Sequence, residues 1–185
     1  MKQLIIISIL SIFATIGCSQ KNGGSSKMDK AKNPKIENYI KGKNYEKYSV
    51  ATFAGGCFWC TEASFERING VVDVISGYSG GRTEHPTYKE VCSETTGHAE
   101  AIQIYFDPAV VTFDKLLDVF FVAHDPTQLN RQGNDIGESY RSAIYYQNEK
   151  QKETLGAKIK ALNESTFNGK IVTEVKAFDE FWVAE

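Results

Sequence analysis

Ser49-Val50-Ala51-Thr52-Phe53-Ala54-Gly55-Gly56-Cys57-Phe58-Trp59-Cys60 is the stretch on which the reading of the fold turns. Ser49 to Ala54 predicts a strand, and Gly55-Gly56 stops it. A helix is expected from about Cys57 to Ile68, because Phe58, Phe65 and Ile68 recur at helical spacing. A strand that turns through two glycines into a helix opens a βα unit, and the elements downstream decide which fold the unit belongs to.

Val71 to Tyr78 is β-branched and predicts a second strand, ending in the Gly77 to Gly81 loop. His85-Pro86-Thr87 opens a short helix over Tyr88 to Val91. Ala101 to Phe106 alternates, with Ile102, Ile104 and Phe106 on one face, and Asp107-Pro108 ends it. Phe113, Leu116, Leu117, Phe120 and Phe121 form one apolar helical stripe behind Thr112, a suitable N-cap. Residues 125–141 read as a long loop with Pro126, Gly133, Asn134 and Gly137, and so long a loop inside a compact domain is usually functional. Ser142 to Tyr146 is a short strand, Glu149 to Glu164 a helix carrying Leu155, Ile159 and Leu162, and Ile171 to Lys176 the last strand. The order is β-α-β-β-α-β, then α-β. Its first six elements match the split βαβ pattern. The expectation is an α+β chain: a two-layer ferredoxin-like sandwich, helices on a largely antiparallel sheet, with long functional loops.

Upstream, Lys2 and the apolar run Leu4 to Ile16 read as a signal peptide rather than a membrane span. Thr15-Ile16-Gly17-Cys18 is similar to the lipobox of bacterial lipoproteins, without the usual Leu at the position of Thr15. Lipidation of Cys18 is expected, against plain secretory cleavage nearby. Residues 19–47 are rich in Lys, Ser, Gly and Asn and read as a flexible tether. The domains are therefore 1–18 signal peptide, 19–47 tether and 48–185 folded domain. The expected location is extracytoplasmic and membrane-anchored, periplasmic or at the cell surface. The formal net charge of -2 over 185 residues gives no global basic field for nucleic acid. With Cys18 set aside, Cys57, Cys60 and Cys92 remain. An odd number of thiols in an exported protein points to a reactive one.

Cys57 is the candidate nucleophile. A thiol at a helix N-terminus feels the positive end of the macrodipole, which favours the thiolate. The bland alternative is a small buried cysteine. Zinc is disfavoured because neither Cys92 nor the three histidines supply a second ligand pair by spacing. C-x-x-C after a strand also suggests a general disulfide oxidoreductase, and a non-enzymatic binding domain of the same fold is a further alternative.

Gly55-Gly56-Cys57-Phe58-Trp59 resembles the signature of the A-type peptide methionine sulfoxide reductases. Gly77-Tyr78-Ser79-Gly80-Gly81, Pro86-Thr87-Tyr88, Val91-Cys92-Ser93, Thr96-Gly97-His98-Ala99-Glu100, His124 through Gly137 and Tyr140-Arg141-Ser142 continue the resemblance in register over about residues 49 to 185. The resemblance implies that Cys57 attacks the sulfoxide sulfur, Phe58 and Trp59 hold the substrate methyl group, and Glu100 protonates the oxygen. It implies that Tyr88, Asp135 and Tyr140 complete the polar side. Chemistry agrees: a sulfoxide needs an apolar wall for its methyl and an acid for its oxygen, and burial raises a carboxyl pKa. The implied substrates are oxidised proteins containing methionine sulfoxide, and the implied reductant is a thioredoxin-like protein, or dithiothreitol in its place. No metal or organic cofactor is expected, and a monomer is. Many family members resolve the sulfenic acid with a cysteine in a C-terminal tail. The chain given ends at Glu185 without one, read as a short or truncated tail. Cys60 is the expected resolving thiol, one helical turn from Cys57 and within disulfide range, with Cys92 second. Bland readings stand beside these: Phe58 and Trp59 as core, Glu100 as an edge residue, Tyr88 and Tyr140 as half-buried tyrosines, Asp135 as a turn cap. His98 is expected to order its loop, and His124 to serve the core or cap a helix.

Overall fold

Strand residues that alternate between two apolar faces build the sheet of this α+β chain. The computed structural model describes residues 33–185; the leader, Cys18 and the expected tether as far as residue 32 lie outside the described residues. In β1 (Ser49–Gly55) and β3 (Ala99–Phe106), Phe53, Ile102, Ile104 and Phe106 serve one face, while Ala54, Ala99, Ala101 and Tyr105 serve the other. β3 pairs antiparallel with β1 and with β2 (Val71–Ser79), and β1 pairs antiparallel with β6 (Ser142–Tyr146). β7 (Glu174–Ala177) and β8 (Phe181–Val183) flank these four, giving the order β7-β6-β1-β3-β2-β8. β7 runs parallel to β6.

One face is covered by α2 (Phe58–Phe65), α4 (Phe113–Ala123) and α5 (Glu149–Leu162). The stripe expected in α4 is present: Leu116, Leu117, Phe120 and Phe121 are buried, and Thr112 Oγ1 accepts the Lys115 N–H at 3.2 Å. Each such side chain contributes roughly 1.5–3 kcal/mol of burial free energy. Packing, more than propensity, holds so short a helix.

The opposite face corrects the expected domain boundary. Residues 33–47 do not stand off as a tether. Ile36 in α1 (Ile36–Tyr39) is 3% exposed, and Tyr45 stacks on Tyr105 with ring centres 4.4 Å apart. Lys35 bridges to Trp182 of β8. The reason lies in the central strand: every residue of β3 is buried, so its second face also needs a cover. Ile36, Ile40, Tyr45 and Tyr48 supply that cover without any regular period, which hid them among the lysines.

Other departures are local. β3 begins at Ala99. α5 ends at Leu162 in a π-turn over Asn163–Phe167, stopped by Asn168 at φ +52°, and the following strand begins at Glu174 rather than Ile171. β8, unforeseen, pairs with β2. The 125–141 loop is partly ordered. It folds as the small hairpin β4 (Arg131–Gln132) and β5 (Asp135–Ile136), then a 3-10 turn, Glu138–Tyr140. α3 (Tyr88–Cys92) opens with a capping box between Thr87 and Glu90.

Candidate active site

The end of β1 delivers Cys57 to the surface. Gly56 adopts φ +91°, and a Cβ there would lie 2.7 Å from Cβ and Cγ of Gln132, so this position accepts only glycine. Gln132 is itself fixed: its Oε1 accepts the Asp125 N–H and its Nε2 donates to the Asp125 carbonyl, both at 3.2 Å. The long loop thus packs directly on the turn before Cys57. Cys57 is the N-cap of α2, which starts at Phe58, one residue later than expected, and its carbonyl accepts from the N–H groups of Cys60 at 3.1 Å and Thr61 at 3.2 Å.

A helix macrodipole alone predicts a lowered thiol pKa. In the folded chain the opposite holds. Burial pushes the Cys57 thiol above its ordinary value; the N–H groups of Cys60 and Trp59 pull it down without prevailing, and the charges of Cys60 and Glu100 add to the rise. Glu100, 1% exposed, lies beside it. Its Oε2 accepts the Phe58 N–H at 3.0 Å, and its Oε1 has no partner among the described residues. Burial raises its pKa to about 6, against the Phe58 N–H, with help from Asp135 and Glu94.

Phe58 forms the floor of an aromatic wall. It is 2% exposed, with ring centres 5.5 Å from Trp59, 5.8 Å from Tyr78 and 6.3 Å from Tyr88. Trp59 is 64% exposed and stacks on Tyr88 at 6.2 Å, so it forms the rim. Burial pushes the Tyr140 hydroxyl up, and negative charge on Glu100 and Cys92 adds to this. Asp135 is exposed on β5, within electrostatic reach of Glu100 and Tyr140. One end of the sheet therefore gathers Cys57, Phe58, Trp59, Tyr88, Glu100 and Tyr140, with Asp135 at the edge.

Cys57, Cys60 and Cys92 are all free thiols. Cys60 is exposed on the first turn of α2. Cys92 is exposed on α3 near the Tyr88 hydroxyl, whose pKa the neighbouring thiol and burial raise to about 12. His98 orders its loop: Nδ1 accepts the Gly81 N–H at 3.1 Å, and Nε2 lies 2.8 Å from the Thr83 carbonyl. His124 is the C-cap of α4, 2.7 Å from the Phe120 carbonyl and 2.8 Å from Ser142 Oγ. Among the described residues, no group of three or more His, Cys, Asp or Glu side chains is placed to hold a metal ion. Two contributors carried no signal in the sequence. Asn33 Nδ2 donates to the Pro86 carbonyl and to Glu185 Oε2, both at 2.7 Å, and Glu185 Oε1 accepts the Tyr88 N–H at 2.9 Å. Both fix the start of α3, and both become visible only once the segment from Asn33 meets β8.

The profile of the family described as Peptide methionine sulfoxide reductase matches residues 49–185. The chain belongs to this family. Sulfolobus acidocaldarius Peptide methionine sulfoxide reductase MsrA is 56% identical over 136 residues, 74% of this chain and 77% of that protein. The crystal structure of reduced Mxr1 from Saccharomyces cerevisiae superposes with TM-score 0.69 at 37% identity, covering 75% of this chain and 81% of that one. Mxr1 in complex with Trx2 matches with TM-score 0.53 at 28% identity, covering 74% and 80%. As a peptide methionine sulfoxide reductase of this kind, the chain is an enzyme, a peptide-methionine (S)-S-oxide reductase, and it reduces methionine sulfoxide.

Proposed function

We propose that Cys57 and Glu100 carry the reaction as nucleophile and acid. The observation that carries this is the buried Glu100 carboxyl, one oxygen unpartnered among the described residues, beside a half-buried thiol and an aromatic wall. The substrate methyl packs on Phe58 beneath Trp59, and the sulfoxide oxygen takes the free side of Glu100. Tyr88 and Tyr140 donate hydrogen bonds to that oxygen, and Asp135 orders water at the edge. The Cys57 thiolate attacks sulfur, and Glu100 protonates the oxygen as it transfers. Methionine leaves, and Cys57 is oxidised to the sulfenic acid. The Cys60 thiol then attacks that sulfur, forming the disulfide and releasing water. A thioredoxin-like dithiol, or dithiothreitol, reduces the disulfide. Two thiols supply both electrons, so these steps call for no metal or organic cofactor. Cys92 is the second choice for the resolving thiol.

The antiparallel order β6-β1-β3-β2 supports reading the scaffold as ferredoxin-like. The substrates are oxidised proteins, and the enzyme acts as a monomer. The Leu4–Cys18 segment supports lipidation at Cys18 and attachment to a membrane on its extracytoplasmic side.

The reaction is tested with the two sulfoxide epimers of a blocked methionine and dithiothreitol. The S epimer should be consumed, the R epimer left, and Cys57→Ser should abolish turnover. Equal consumption of both epimers, or turnover by the serine variant, overturns this function.

A further inference from the structure

The turn after α3 holds a glutamate where the backbone favours glycine. Glu94 has φ +60°, and its N–H donates to the Val91 carbonyl at 2.9 Å. A left-handed residue closes many helices, and glycine takes that conformation with least steric cost. The side chain accounts for glutamate here. Its carboxylate crosses to the 125–141 loop, accepting the Ser139 N–H at 3.1 Å and the Ser139 hydroxyl at 2.6 Å. Ser139 is 1% exposed, so the receiving end of this clasp is shielded. Gly137, at φ +152°, makes room for it: a Cβ there would lie 2.2 Å from Glu94 Oε1. Ser139 is the middle residue of the 3-10 turn that ends in Tyr140. The clasp therefore joins the helix bearing Tyr88 and Cys92 to the turn bearing Tyr140.

We propose that Glu94 is a positioning residue, whose grip on Ser139 sets Tyr140 against Tyr88 and Glu100 for sulfoxide reduction. The inference rests on the proposed role of Tyr140. Glu94 has a second, smaller effect on the same site: behind burial and Asp135, its charge helps to hold the Glu100 carboxyl above its usual range. A clasp with only a structural role lowers thermal stability and leaves kcat of the folded enzyme alone. A positioning clasp lowers kcat through Tyr140.

The test is a double-mutant cycle on the full chain, with the fold of each variant checked by circular dichroism and thermal midpoint. E94G relieves the backbone and removes the clasp; E94Q keeps the length and an acceptor for the Ser139 N–H. Small misplacements of reacting groups cost up to about a hundredfold. E94G should lower kcat about tenfold with KM changed by less than about threefold, and E94Q should stay within about threefold of wild type. In a Y140F background, E94G should change kcat by less than about twofold. If E94G folds poorly, Ser139→Ala removes half of the clasp without touching the left-handed residue, and the same comparison holds. Equal losses in both backgrounds, an unaffected E94G, or an E94Q as impaired as E94G overturns the inference. Wild-type kcat in Y140F alone would refute the role of Tyr140, and this inference with it, whereas additivity refutes this inference only.

Discussion

Cys57 and Glu100 have opposed pKa requirements that together set a pH profile. The proposed reaction needs the thiol ionised and the carboxyl neutral. Resting enzyme at neutral pH favours the reverse, since Glu100 is held at about 6 and Cys57 above its ordinary value. Both arrangements carry one shared proton, so their ratio does not change with pH while the pair holds that proton. The acid and base limbs of kcat/KM report the free enzyme. It should therefore be flat from about pH 6 into the thiol range, and fall toward lower pH as the second proton is taken up. Glu100→Gln removes the acid. Its kcat/KM should be lower by roughly 10²-fold or more and should rise with pH until the thiol itself ionises. Measurement over about pH 5 to 9.5 decides the matter, and an inflection near 6 that persists in the variant would move the acid elsewhere. Glu100 was legible in sequence through the Thr96-to-Glu100 block. The direction of the Cys57 shift was not, because it follows from burial in the folded chain, and local spacing reports only the helix terminus.

At the scale of elements, α2 carries both proposed redox thiols on its first turn. The Cys60 N–H donates to the Cys57 carbonyl at 3.1 Å, so one turn separates the two residues. Residues three apart on a helix share a side, and their Cα atoms fall inside disulfide range. Cys60 is exposed on the turn that Cys57 opens, whereas Cys92 is exposed on another helix, α3. One equivalent of sulfoxide followed by thiol trapping should yield a Cys57–Cys60 bridge by mass spectrometry. Cys60→Ser should release about one methionine per enzyme and then stall with thioredoxin, since the sulfenic acid has lost its partner. Normal cycling by that variant, or a bridge mapped to Cys92, rules Cys60 out. Elements with strong periods, such as α4 and the Ile102, Ile104, Phe106 face of β3, were legible in the sequence. β8 was not, being three residues long and placed by pairing with β2. The segment around Ile36 and Tyr45 was missed because its burial is set by a strand far along the chain.

At the scale of the whole molecule, charge is segregated along the chain. Residues 19–48 hold eight lysines against Asp29, Glu37 and Glu46, while the net charge of the full sequence is -2, so the remainder is acidic. The packed domain is described from Asn33 onward. This shortens the tether proposed between Cys18 and the domain to residues 19–32. Two forces would then hold the enzyme at an anionic membrane: an acyl anchor on Cys18 and attraction of the lysines. They differ in their response to salt. Near 1 M salt the Debye length falls to about 3 Å and the lysine contribution is screened. Burial of acyl methylenes, about 0.8 kcal/mol each, is not weakened by such screening. Expressed with its own leader in a bacterium, the protein should stay with the membrane fraction through a wash at about 1 M salt, and Cys18→Ala should be released by the same wash. Wild-type protein recovered in the wash, or in the soluble exported fraction beforehand, would count against lipidation at Cys18. Retention of Cys18→Ala would place the anchor in the uncleaved apolar run instead.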